Sequence, residues 1–321
     1  MKNLITCAFA FREGYQTSKQ ISKTAGAETT DMYLKNILVS LYSAKKSNPD
    51  DDVLLCTNCD IPDKWKSIFE SKNIPVRKIE FDSFVIPQKF PWALAFFKMC
   101  VLNTLVNEGA YERFLLLDAD TYTVLPYEDL WKESDTGVLL YPLGHSFFHH
   151  DRQIIKNDFY SLYPDLQDVP VVHYGGEFVA GNIKHLKPYM DICREIFDKL
   201  SEKGFSMEER IGDEDIWSAA ATLSFGKIRI VTATPYVFRF WTEDFYLIST
   251  VTVSNPVCIW HLPAEKETGI IRLYNYVMKN DCFPSVNKAS KYLGITKAQR
   301  PFNIYTFANK FNRKIKKWFH K

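Results

Sequence analysis

Apolar residues fall in short, regularly spaced blocks over the first 125 residues and become irregular after that. Residues 4–10 (LITCAFA) form a block of strand length, followed by a polar stretch over 12–30. Asp31 stands where a helix would be capped. Leu34, Ile37, Leu38 and Leu41 then recur at spacings of three and four, the period of one helical face. Residues 53–57 and 76–81 read as a second and a third strand, with Pro62 between them where a helix would open. An apolar helix over 91–106 and a fourth strand over 114–117 complete the pattern. Strands alternating with helices predict an α/β fold with a mostly parallel, doubly wound, Rossmann-like sheet flanked by helices. Ligands of such sheets bind beyond the carboxyl ends of the strands.

Residues 141–172 are aromatic, histidine-rich and turn-prone, which suggests loops over a cleft. A helix is expected from Pro188, burying Met190, Cys193, Phe197 and Leu200. No repeat or low-complexity tract interrupts the chain, and no flexible linker precedes about residue 280.

Composition narrows the class. With 46% hydrophobic residues over 321 positions, the chain is globular and long enough for a large core. The net charge of +2 conceals an asymmetry. From Cys282 to Lys321 there are ten Lys or Arg and no Asp or Glu, so the rest carries 30 basic against 38 acidic residues, a balance of −8. Seven scattered cysteines fit reduced thiols of a cytoplasmic protein, and the pair Cys56 and Cys59 lacks the further ligands of a zinc site. No apolar run reaches the roughly 18 residues of a membrane helix. Residues 4–11 resemble a short signal-peptide core, but no small-residue cleavage site follows.

The chemistry starts at RFLLLDADTY, where an apolar run ends in Asp118 and Asp120. Two carboxylates so close repel each other unless a cation sits before them. Two such groups can hold a hard divalent ion while it bridges phosphate oxygens, although a turn pair would read the same way. His261, in IWHLP, ends a Val/Ile-rich segment, and imidazole with carboxylates suits a manganese-like ion. Asp213, Glu214 and Asp215 open a further helix and exceed what one cap requires. GGEFVAGN adds Glu177 among glycines that would let a ligand approach the backbone.

In this order the motifs resemble the nucleotide-sugar glycosyltransferases of the GT-A fold, most closely glycosyltransferase family eight, over roughly residues 3–266. The resemblance implies a metal-dependent hexosyltransferase that takes a sugar from a UDP-sugar donor to a glycan or glycolipid acceptor. It implies a catalytic domain over 1–280, with 1–125 as the nucleotide-binding half and 126–280 as the sugar and acceptor half. Asp118 and Asp120 match the Asp-x-Asp element that holds Mn²⁺ (or Mg²⁺) and the donor's ribose and diphosphate, with Ala119 between them, and His261 matches the late metal ligand. Lys98 matches the cation that faces the donor, and Ala10 and Phe11 lie where the base should rest. Asp213 and Glu214 match the pair that holds the donor sugar. The family usually has Asp-Gln there; Asp-Glu resembles the blood-group-type retaining enzymes, which makes Glu214 the candidate nucleophile, with Glu177 as the runner-up. HLPAEKETG departs from the family's histidine motif, and Lys266 takes the place of its phosphate-binding lysine. His149, His150, Asp151 and Arg152 are candidates for acceptor contacts, and Phe240 and Trp241 for stacking on a sugar ring.

Residues 281–321 form a basic extension. Ile304, Phe307, Ala308, Phe311, Ile315, Trp318 and Phe319 make an apolar helical stripe beside Lys310, Arg313, Lys314, Lys316, Lys317 and Lys321. That is the pattern of an interfacial helix on an anionic membrane, and it predicts a peripheral position on the inner face. A helix packed on the body would show the same stripe. Nucleic acid is disfavoured by the acidic body and the missing RNA-binding motifs. Competing readings are a phosphatase, whose motif would want Thr or Val where Tyr122 stands, and a sugar nucleotidyltransferase, which would need a glycine-rich loop where CAFAFREGYQ offers none. A non-catalytic nucleotide-sugar-binding scaffold is a third.

Overall fold

A computed structural model describes residues 2–15, 27–205, 211–242, 253, 255–295 and 304–319. Part of the expected 12–30 loop and Phe302 lie outside the described residues. So do the side chains of Lys310, Arg313, Lys314, Lys316, Lys317, Trp318 and Phe319, and the whole of Lys321.

The first half runs β1 (Asn3–Phe9), α1 (Ala27–Ser47), β2 (Asp52–Thr57), α2 (Asp63–Ser71), β3 (Val76–Lys78), α3 (Phe97–Glu108), β4 (Arg113–Leu117) and β5 (Thr121–Thr123). The second runs α4 (Glu128–Ser134), β6 (Val138–Pro142), α5 (His150–Leu162), β7 (Tyr174–Asn182), α6 (Ile183–Glu202), α7 (Asp213–Leu223), β8 (Ile230–Thr232), β9 (Val237–Arg239) and β10 (Ile259–His261). Three helices follow: α8 (Gly269–Asn280), α9 (Val286–Tyr292) and α10 (Ile304–Phe319).

Seven strands form one sheet in the order β3-β2-β1-β4-β7-β6-β8. β1, β2, β3 and β4 are mutually parallel, as are β6 and β8, while β7 runs antiparallel to both its neighbours. The expected α/β architecture with a mostly parallel sheet flanked by helices is therefore present. A small second sheet, β5-β10-β9, lies beyond the end of β4.

The apolar runs are unbroken because both faces of the large sheet are covered. Along β4, Leu115 and Leu117 join one core while Phe114 and Leu116 join the other. Burial of each such side chain contributes roughly 1.5–3 kcal/mol. On α1, Leu34, Ile37, Leu38 and Leu41 are buried as their spacing predicts.

Several boundaries differ from expectation: β3 ends at Lys78, α3 starts at Phe97, and α1 starts at Ala27, inside the stretch read as a polar loop. Asp31 lies inside α1, where it pairs with Lys35 (2.6 Å) and accepts from Trp65 Nε1 (3.1 Å). The helix expected from Pro188 starts at Ile183, because the Asn182 side chain accepts from Lys184 N (3.1 Å); Pro188 sits inside it. Ala289, Leu293 and Ile295 belong to the core, so the extension expected from residue 281 is joined to the body through residue 295. Among the described residues, no helix is long and apolar enough to cross a membrane.

Candidate active site

Strand register assembles the site. Beyond β4 the chain turns through Asp118–Asp120 into β5, which pairs antiparallel with β10 so that His261 stands opposite Thr121. The Leu262 amide donates to the Asp120 carbonyl (2.9 Å), tying the two segments together. His261 Nε2 then lies 3.3 Å from Asp120 Oδ2 and 4.0 Å from Asp118 Oδ2. One ligand atom from each of the three residues lies within 4.8 Å of the others, a group able to hold a metal ion. His261 Nδ1 is 3.2 Å from Glu177 Oε1. A carboxylate on the far nitrogen of an imidazole fixes its orientation and tautomer, the usual support for a ligating histidine.

Buried charge here is matched by buried countercharge. Lys98 on α3 reaches Asp118 Oδ1 (2.9 Å), Asp213 Oδ2 (2.8 Å) and the Gly176 carbonyl (2.8 Å). Lys266 pairs with Asp120. Burial alone would lower the Lys98 pKa, but Asp118 and Asp213 outweigh it and raise it above its ordinary value. Burial alone would raise Asp120; Lys266 and His261 instead hold it far below the carboxylate range. Burial likewise disfavours a charged His261, yet Asp120 and Glu177 lift its pKa to about 9.

Glu177 does not line the cleft. Its side chain is 0% exposed, gripped by Arg239 Nε (2.7 Å) and Nη2 (2.5 Å) as well as by His261. Against the cost of burial, Arg239 and His261 hold its pKa at about 2. The runner-up nucleophile of the sequence thus lies behind the cleft lining, bonded to Arg239 and His261. The flanking glycines serve this network as well. A Cβ on Gly175 would meet Glu177 Oε2 at 1.9 Å, and one on Gly176 would meet Asp213 Oδ2 at 2.2 Å. The space read as room for a ligand is filled by the protein's own ion pairs.

The three acids opening α7 divide their work. Asp215 accepts from the Gly212 amide (2.7 Å) and is the cap. Asp213 meets Lys98 and the Trp217 indole N–H (3.2 Å). Burial pushes Asp213 up, with Asp118 and Glu214 adding to burial and Lys98 opposing it. Glu214 accepts from the Gly176 amide (3.1 Å) and Arg239 (3.0 Å), and meets His173 Nε2 at 3.0 Å. Burial would raise it, but His173 and Arg239 hold it well below the usual range. Neighbouring carboxyls are thus driven in opposite directions, a common arrangement where two acids take different tasks.

Facing this floor is a wall of imidazoles. His145 Nδ1 lies 2.9 Å from His173 Nδ1, and the His145 and His149 rings stack with centroids 3.6 Å apart. Arg152 donates to the carbonyls of Val171 (2.8 Å) and His145 (3.1 Å) and so pins the wall from behind. Burial, then His173 and His149, push the His145 pKa down to about 4.

The cleft between floor and wall encloses about 520 Å³, within the range of small-molecule sites. Of the expected residues, Ala10, Lys98, Asp118, Ala119, Asp120, Asp213, Glu214, His261 and Lys266 line it. So do His149, Asp151 and Trp241, whereas His150 and Arg152 do not, and Phe240 is buried in the core. Phe11 does not line it either; Asn58 holds its backbone at 2.8 and 3.0 Å, leaving Ala8, Phe9 and Ala10 as the lining edge. Sequence reading missed Arg239 and His173, as well as the lining aromatics Tyr33 and Trp92. None stands in a motif; only strand pairing places Arg239 beside His261. No protein-family model and no curated protein matches the chain.

Proposed function

We propose that the chain is a GT-A-fold, metal-dependent glycosyltransferase that moves a hexose from a UDP-sugar to a saccharide or lipid-linked saccharide with retention of configuration. One observation carries the reading: Lys98 joins Asp118 of the candidate metal group to Asp213 of the second acidic pair, within a single cleft at the strand ends. A diphosphate bridging ion and lysine would then hold its sugar against Asp213 and Glu214.

Asp118, Asp120 and His261 would hold Mn²⁺ or Mg²⁺. The donor set of two carboxylates and one imidazole suits such an ion, which when bound stabilises charge on the departing diphosphate. Lys98 and Lys266 add fixed positive charge to the phosphate oxygens. Asp213 accepts hydrogen bonds from sugar hydroxyls. Glu214, held ionised by His173 and Arg239, presents a carboxylate to the anomeric carbon while the bond to diphosphate breaks. An acceptor hydroxyl then displaces Glu214, its proton passing to the departed diphosphate, and two inversions give retention. Glu177 and Arg239 hold His261 and Glu214 in place.

A panel of nucleotide sugars with Mn²⁺, scored for nucleotide release, tests the class. One donor turned over is expected; none, with and without saccharide acceptors, would leave a binding scaffold as the reading. Glu214→Gln should abolish transfer, and near wild-type transfer removes Glu214 from the chemistry.

The acceptor side of this proposal includes α10. Ile304, Phe307 and Phe311 are exposed on it, while Asn309 is buried and bonds Arg272 (2.7 Å) and Glu265 (2.8 Å). Its polar anchor thus faces the body and its aromatics face outward, beside a lysine-rich sequence. An anionic bilayer is the surface this helix fits. Serine at 304, 307 and 311 should release the protein from anionic vesicles and leave donor hydrolysis intact. Unchanged binding would refute the membrane role.

A further inference from the structure

We propose that His145, His149 and Asp151 form a second divalent-cation site, of the zinc class, in the wall of the cleft. The three offer ligand atoms within 4.8 Å of one another and all line the cavity, separate from the Asp118, Asp120 and His261 group. The proposal does not depend on the glycosyl-transfer reading.

Backbone placement brings the three together. His145 lies in the loop after β6, His149 immediately precedes α5, and Asp151 sits in the first turn of that helix. Arg152, next in sequence, holds the His145 carbonyl at 3.1 Å and closes the loop on itself. The segment is therefore anchored before any ion arrives, and only short side chains need to adjust. Zinc bonds of about 2.0–2.2 Å call for ligand atoms somewhat closer than 4.8 Å, within reach of ring rotation.

Two observations point to a ligand. His149 Nδ1 is buried and has no hydrogen-bond partner among the described residues. A buried imidazole nitrogen left without a partner costs about 1–3 kcal/mol, and a metal bond removes that penalty. Secondly, His145 has the support that ligating histidines require. Its Nδ1 contacts His173 Nδ1 (2.9 Å), and His173 Nε2 contacts Glu214 Oε2 (3.0 Å). With the Glu214 carboxylate accepting from His173 Nε2–H, His173 Nδ1 is an acceptor and His145 Nδ1–H its donor. His145 Nε2 is then left with a lone pair, the state a metal needs.

The donor set separates the two sites chemically. Two imidazoles and one carboxylate favour a borderline ion such as Zn²⁺, whereas two carboxylates and one imidazole favour a harder one. Three protein ligands leave a fourth position, open to the cleft, for water or an oxygen of a bound molecule.

Metal-free, tag-free protein titrated with Zn²⁺, and separately with Co²⁺ followed by visible absorption, tests the site. Wild type should take up two equivalents, with the intense absorption of low-coordinate Co²⁺. His149→Ala and Asp151→Asn should each weaken one equivalent by at least a hundredfold. Asp120→Asn should remove the other and leave the Co²⁺ spectrum in place. His173→Gln should weaken the wall site about 10–100-fold, the usual cost of losing an outer partner. His149 and Asp151 are only half-buried, and thermal melts of their variants check that the fold is intact. Uptake by wild type of no more than the equivalent that Asp120→Asn removes, or unchanged uptake by folded His149→Ala, would overturn the proposal and leave the imidazoles as a hydrogen-bonded series.

Discussion

The floor and the wall of the cleft face the same space but are built on opposite electrostatic terms. On the floor, Asp120, Glu177 and His261 are almost fully buried as charged groups, each sustained by an opposite charge from Lys266 or Arg239 or by one another. On the wall, His145 and His149 are half-exposed and stack as rings, with Glu214 the carboxylate reached through His173. Buried ion pairs are costly to form and costlier to break singly, so the floor tolerates one arrangement. The wall is held instead by ring stacking and by Arg152 on the carbonyls of Val171 and His145, with less buried charge to balance.

The largest way to break this contrast is Asp120→Asn. It leaves Lys266 and His261 short of a carboxylate and removes a candidate metal ligand. A loss of about 10³-fold in nucleotide release is expected, equivalent to about 4 kcal/mol of transition-state stabilisation.

Proton titration gives a sharper reading. In metal-free protein, NMR of the imidazoles should place His261 at about 9 and His145 at about 4, either side of the ordinary 6.5. The consequences for stability have opposite signs. The His261 contribution is fully present below pH 6.5 and lost as pH rises through about 9. For His145 the unfolded chain binds the proton more readily, so stability falls as pH drops from 6.5 towards about 4. Equal pKa values for the two rings would erase the distinction.

Glu177→Gln tests the floor more gently. It keeps the shape but removes the charge between Arg239 and His261, and metal affinity measured by calorimetry should fall about 10–100-fold. An effect of similar size, on the fold and not on metal affinity, is expected from Trp217→Phe, which takes one hydrogen bond from Asp213, shrinks a fully buried side chain and leaves the Lys98 pair in place. About 1–3 kcal/mol of stability should be lost in a denaturant melt.

How much of this was legible in the chain depends on what carried the information. Asp118 and Asp120 stand out because a buried strand run ends on them, and a strand end in a parallel sheet is a site by geometry. His261 was legible as a residue but not as a neighbour; its place opposite Thr121 is set by the pairing of β5 with β10, which no local pattern specifies. The surroundings of Glu177 were not legible, because glycine-rich flanks look alike whether they admit a ligand or the protein's own side chains. Arg239 left no trace, since a single cation in a three-residue strand has no period to read. The helix at Ile183 was placed five residues late because Pro188 is a stronger local signal than the Asn182 cap.

The contacts of Lys98 and Lys266 bear on the order in which ligands enter. Each ammonium rests on an aspartate that an incoming dication would need, so a bare ion meets competitors already seated. On the glycosyl-transfer reading, a nucleotide diphosphate arriving with its ion would offer those ammonium groups oxygens of its own, and the exchange would conserve every ion pair. Ion and nucleotide would then enter as a single neutralised cargo, each held more tightly with the other than alone.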